Sequence, residues 1–171
     1  MKKTLIERIE VGSGGAATIE FTSIPQTYAG LYLVCSVRNT SSSLTFDINP
    51  NGSTTNKTRT NLQGAGSGTP TSATGTDITP LQNSNSFTSN TFASTSVLIP
   101  NYASSNNKGI SIDTVTENNA TTSYQRLQAA LWSDTTAISS LECSTANNFA
   151  QYSSFTLYGV TSGSDGTTTV S

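Results

Sequence analysis

DINPNG, from Asp47 to Gly52, is the stretch of this chain that comes nearest to a chemical motif. It matches the first half of a calcium loop, D-x-N-x-N-G, in which alternate oxygens converge on a cation and a glycine permits the sharp turn. The twelfth position of such a loop supplies a bidentate glutamate. Here that position is Thr58, and Pro50 falls inside the loop. A turn between two strands, built on the backbone tolerance of Asn and Gly, is the preferred reading. No metal and no other cofactor is expected.

The remaining chemistry-bearing residues are sparse. The chain has no histidine, which removes the usual general base at neutral pH and the commonest metal ligand. Ser-His-Asp and Cys-His arrangements are thereby excluded. GAGSG (Gly64 to Gly68) lacks the third glycine of a dinucleotide fingerprint, and no helical pattern follows it. The ten acidic residues are scattered. Glycoside hydrolysis needs two carboxylates held ~5 or ~6.5–9.5 Å apart, and the spacing of Asp113, Glu117, Asp134 and Glu142 gives no sign of such a pair. No catalytic residue is assigned, and the chain is not expected to be an enzyme. Cys35 and Cys143 both lie in apolar alternating runs and read as small buried hydrophobes in preference to a disulfide. Among the aromatics of the C-terminal half, Tyr102, Trp132 and Tyr152 are candidates for contact with a glycan or a neighbouring subunit. Burial in a core is the plainer role for such rings.

Composition narrows the partners. Charged residues make up 11 % of the 171 positions, and the net charge is −2. Ordinary globular chains carry about 25 %; here Ser, Thr and Asn take the place of charge. Eight Lys and Arg residues, spread along the chain, are too few to neutralise a phosphate backbone, so nucleic acid is not an expected partner. No apolar run approaches the ~20 residues of a membrane helix. MKKTLIERIEV begins with basic residues, but Glu7, Arg8 and Glu10 break what would be an apolar segment; it does not read as a secretory signal. Synthesis in the cytoplasm, without a membrane partner, is expected.

The elements that must position these residues are short and extended. AATIEFTSI (Ala16 to Ile24), LYLVCSVR (Leu31 to Arg38), LTFDI (Leu44 to Ile48), FASTSVLIP (Phe92 to Pro100) and KGISIDTVTE (Lys108 to Glu117) alternate apolar and polar residues. So do TAISSLECS (Thr136 to Ser144) and SSFTLYGV (Ser153 to Val160). TLIERIEV (Thr4 to Val11) fits a helical turn or a strand. SYQRLQAALW (Ser123 to Trp132) also fits both periods, but its brevity and its turn-like flanks favour a strand. There Leu127, Ala129 and Leu131 share one face, and Tyr124, Arg126, Gln128, Ala130 and Trp132 the other. Residues 53–90 are polar and low in pattern, a loop excursion with one candidate strand at NKTRTNLQ. Many short strands between polar turns predict an all-β, single-domain antiparallel β-sandwich over residues 1–160, jelly-roll-like, followed by a Gly/Ser/Thr-rich tail at 161–171.

Three stretches carry a resemblance: GGAATIEFTSIPQTYAGLYLV (Gly14 to Val34), IPNYASSNNKGISIDTVTENNATTSYQRLQAALWSDTTAISSLE (Ile99 to Glu142) and FAQYSSFTLYGV (Phe149 to Val160). They resemble small structural proteins of the virions of tailed bacteriophages from aquatic environments. The resemblance covers somewhat less than half of the chain and rests on a TIxFxSIPxTY opening, a YQRLxAxLWSDTxAI segment and a TLYGV end. It leaves out the region from Ser53 to Asn90. Beside the LW pair, where the resemblance leads one to expect an aliphatic residue, this chain has Gln128. No catalytic residue comes with the family. The resemblance implies a phage particle: a decoration or cement protein on the capsid surface, with the major capsid protein and further copies of itself as partners. A homotrimer is the expected assembly. TLIERIEV and the tail are the expected arms toward capsid or sister subunits. The alternative is a receptor-binding module of a tail or head fibre that recognises host glycan.

Overall fold

The computed structural model describes residues 2–66, 68–119, 121 and 123–161. The described residues contain eleven strands and no helix: β1 (Lys2–Glu10), β2 (Ala16–Phe21), β3 (Gly30–Val37), β4 (Asp47–Pro50), β5 (Lys57–Gly64), β6 (Thr71–Gly75), β7 (Ala93–Pro100), β8 (Lys108–Glu117), β9 (Ser123–Trp132), β10 (Leu141–Phe149) and β11 (Ser154–Thr161). Alternation is the cause. In β8 every second residue from Lys108 to Thr116 is buried and every residue between is exposed, the period that a strand with one wet face requires. TLIERIEV resolves as strand, and so does SYQRLQAALW.

Two sheets face each other, an eight-stranded one in the order β1-β11-β3-β7-β8-β9-β5-β6 and a three-stranded one in the order β2-β10-β4. All named pairings are antiparallel. The smaller sheet continues past β4 into residues 77–83. The Ile48 amide donates to the Ile78 carbonyl at 2.9 Å, Phe46 to Pro80 at 3.2 Å, and Gln82 to Leu44 at 2.9 Å. With that segment counted, the order β2-β10-β4-(77–83) lies against β1-β11-β3-β7, and the chain shuttles repeatedly between the layers. The fold is therefore an antiparallel β-sandwich with a jelly-roll-like core. Two hairpins are inserted into it. β5–β6 leaves between β4 and residue 77, and β8–β9 leaves between β7 and β10. They pair with each other through β5 and β9, which widens the larger sheet to eight strands, with Ile110, Ile112, Ala130 and Trp132 still part of the buried core.

The region 53–90 is thus polar but not a loop excursion. It contains β5, β6 and the 77–83 ladder. β6 is exposed along most of its length, so it carries no apolar alternation by which a sequence reading finds strands.

Between the sheets, Leu31, Leu33, Cys35 and Val37 of β3 are buried, as their alternation implied. Phe46, Phe149 and Phe155 meet edge to face, with centroids 5.7, 6.2 and 4.8 Å apart. Each such side chain contributes roughly 1.5–3 kcal/mol on burial. Gly159 of β11 is required by packing: a Cβ there would lie 2.2 Å from the Tyr28 ring. The two cysteines are free and buried. Desolvation pushes both thiols up, and each has a further electrostatic contribution, Cys35 from Cys143 and Cys143 from Glu142.

β1 is not a free arm. It is the edge strand of the larger sheet, paired with β11 from Lys2 to Glu10, with a bulge between Leu5 and Glu7. Charge and a bulge on an edge strand discourage indiscriminate pairing. Of the expected tail at 161–171, the other expected arm, Thr161 closes β11 and 162–171 lie outside the described residues.

Candidate interaction surface

The aromatic candidates separate. Tyr102 is 0 % and Trp132 1 % exposed. Tyr102 donates its hydroxyl to the Pro25 carbonyl, and burial pushes its pKa up. The Trp132 ring has the Lys108 ammonium 5.8 Å from its centroid. Both rings are interior and present nothing to a glycan or a second subunit, a correction to the surface role expected of them. Their size made them attractive as platforms; the same apolar area drives them inside. Tyr152 is 65 % exposed and has a φ of 69°. It borders a shallow cleft with Arg38, Asn90, Phe92 and Gln151.

DINPNG is a turn. Asn51 and Gly52 both have positive φ, 50° and 68°. The side-chain oxygen of Asn51 accepts from the Ser139 and Ser140 amides at 2.9 and 3.1 Å. That of Asn49 accepts from Lys57 Nζ at 2.5 Å. The side-chain oxygens of Asn49 and Asn51, which a calcium loop would aim at a cation, are engaged in holding neighbouring segments.

The surface that sequence reading missed lies on the outer face of the inserted hairpins. Leu62 and Leu127 are directly paired across β5 and β9 and are each 54 % exposed. Val115 and Leu131 extend the apolar strip on the same face at 44 % and 36 %. Between the leucines, Thr60, Ser111 and Ala129 form the floor of an open groove of about 430 Å³. Single exposed apolar residues are ordinary, but a contiguous strip marks an association site. The available signal was the alternation of Leu127, Ala129 and Leu131. Whether that face points in or out is not written in it.

Charge on these strands is sorted by face. Lys57, Arg59, Lys108 and Arg126 alternate with the exposed positions of β5, β8 and β9, and so point inward. Asp113 and Glu117 point outward. Inside, Arg59 pairs with Asp77 at 2.5 Å and donates to Thr79 Oγ1 at 2.6 Å. Arg126 holds Gln63 Oε1 through Nε and Nη2 at 2.9 and 2.6 Å and donates to the Thr79 carbonyl at 3.1 Å. The Lys108 ammonium donates to the carbonyls of Asn106, Asp134 and Thr136. Desolvation lowers the pKa of Lys57, Lys108 and Arg126. Asp47 is raised by desolvation, with Lys57 opposing. This network clamps the inserted hairpins onto residues 77–79 and β4, and so sets the plane of the outer strip.

Fold and surface together define a β-sandwich module with an uncovered apolar strip. No family model matches the chain, and no curated protein matches it.

Proposed function

We propose that this chain is a bacteriophage virion structural protein, a decoration or cement protein that binds the outside of the head and bridges capsid subunits. The observation that carries the reading is the exposed Leu62–Leu127 strip on the outer face of the inserted hairpins, an uncovered apolar surface of the kind that serves association. The resemblance of the three sequence stretches to phage virion proteins supports it, as does a surface rich in hydroxyls and poor in charge. The mechanism is additive. Contacts of standard size, ~1,600 Å² each, linked within an oligomer, raise avidity without new chemistry. Binding the assembled shell and not its free subunits stabilises the shell by mass action.

The exposed ring of Tyr152 beside Phe92 and Gln151 favours a second reading, a glycan-binding module of a fibre. Quantitative mass spectrometry of purified virions separates the two. Hundreds of copies per particle are expected for a shell component. A few dozen at most would move the protein to a fibre, and its absence from the particle would end both readings.

A further inference from the structure

The outer face of the larger sheet carries two patches at its two ends. At one end, Lys3, Leu5 and Arg8 of β1 stand opposite Val160, Tyr158 and Thr156 of β11. All three are exposed. They share a face only because the bulge at Ile6 shifts the register by one residue; without it Arg8 would point the other way. The result is a basic-apolar-basic row, ended by Glu10 opposite Ser154 on the same face, with Lys3 Nζ seated 3.5 Å from the centroid of the outward Tyr32 ring. Toward the other end, Asp113, Val115 and Glu117 of β8 form an exposed acidic-apolar-acidic row, beside Leu127 and Leu62. On each strand the charges are four residue levels apart, about 13 Å, with the apolar side chain midway.

We propose that this chain assembles head to tail, the Lys3–Leu5–Arg8 row of one copy docking on the Asp113–Val115–Glu117 row and the adjoining Leu127 strip of the next. Leu5 then covers Val115, and each cation meets a carboxylate. The occupant is a second copy because the chain carries its own complement. Both rows face outward from one sheet and lie four strand spacings, ~19 Å, apart, so one chain cannot bring them together. On the outward-facing positions of β5, β8 and β9 there are two acids and no cation, so a like-with-like contact of that strip would oppose its own charges. Arg8 is engaged with Glu10 at 2.8 Å, but that pair is about half exposed and is readily exchanged. A head-to-tail contact is heterologous, and it closes into a ring when its rotation divides a full turn. The inference deepens the oligomeric part of the proposed function and is tested without virions, so the two can fail separately.

The experiment is native mass spectrometry and sedimentation of the full-length protein and three variants. The wild type is expected to form one closed oligomer. Lys3→Glu with Arg8→Glu, and separately Asp113→Lys with Glu117→Lys, are expected to give monomers with β circular dichroism and cooperative urea unfolding intact. The variant with all four reversals restores the opposite-charge match and is expected to reassemble. If a reversal variant does not fold, Lys3→Gln with Arg8→Gln replaces it, and weakened assembly is expected. A monomeric wild type at high micromolar concentration overturns the proposal. So does an oligomer that survives both reversals, or a four-fold reversal that stays monomeric while folded.

Discussion

Gln128 occupies an expensive position. It is 3 % exposed, and neither its side-chain oxygen nor its nitrogen has a hydrogen-bond partner. A buried polar group left unpaired costs roughly 1–3 kcal/mol. Gln128→Met keeps the length and removes both polar atoms. It is expected to raise the unfolding free energy by about 1–2 kcal/mol, read from urea midpoints; a loss of stability would show that the amide is satisfied. The resemblance expects an aliphatic residue here, which fits that cost. Asp47 gives a pH-dependent counterpart. Its folded pKa lies above the ordinary value of 3.8 because burial outweighs the attraction of Lys57. The folded state therefore binds this proton more tightly than the unfolded chain. The contribution of Asp47 to stability rises as pH falls through the folded value and levels off below the unfolded one. Asp47→Asn is expected to flatten that part of the curve and to be no less stable than wild type at pH 7. Paired urea titrations from pH 7 to pH 3.5 check this, and an unchanged difference across that range would refute it.

The inserted and connecting elements depend on a few cations. Arg38, just after β3, donates to the carbonyls of Thr88 and Thr91 at 2.9 and 3.0 Å and to those of Asn85 and Phe87 at 3.1 and 2.8 Å. One planar guanidinium thus organises residues 85–91. A lysine cannot reproduce that fork. Arg38→Lys is expected to cost about 2 kcal/mol and to speed amide exchange in residues 84–92 before the core exchanges. Uniform protection would place the restraint elsewhere. β9 shows the limit of pattern reading at this scale. Its leucine face was legible as a face, and its strand state followed from length and flanks. Yet the face bearing Arg126, Gln128 and Trp132 is the inner one: Gln63 of β5 and the Thr79 carbonyl supply partners for Arg126, while the Gln128 amide and the Trp132 ring nitrogen are buried without them. Tyr102 and Trp132 went inside because the turn after β7 and the end of β9 lie over the core.

For the whole molecule, the outer strip is expected to serve association and not folding. Leu62→Thr with Leu127→Thr places β-branched strand formers at half-exposed positions. Monomer stability is expected to change by no more than about 0.5 kcal/mol, while assembly weakens. A large drop in the urea midpoint would instead make the strip part of the fold. At this scale the sequence by itself determined the class of fold, the strand positions with strong alternation, the buried face of β3 and the low-charge surface. Those properties depend on residues near one another in the chain and on burial with a period of two. Tertiary structure decided what depends on distant pairing. The β5–β6 hairpin, almost without apolar signal, exists because β9 offers it an edge. The bulge in β1 turns Arg8 outward because β11 fixes the register. The leucines of β5 and β9 face solvent because β4 and residues 77–79 engage the opposite face of those strands.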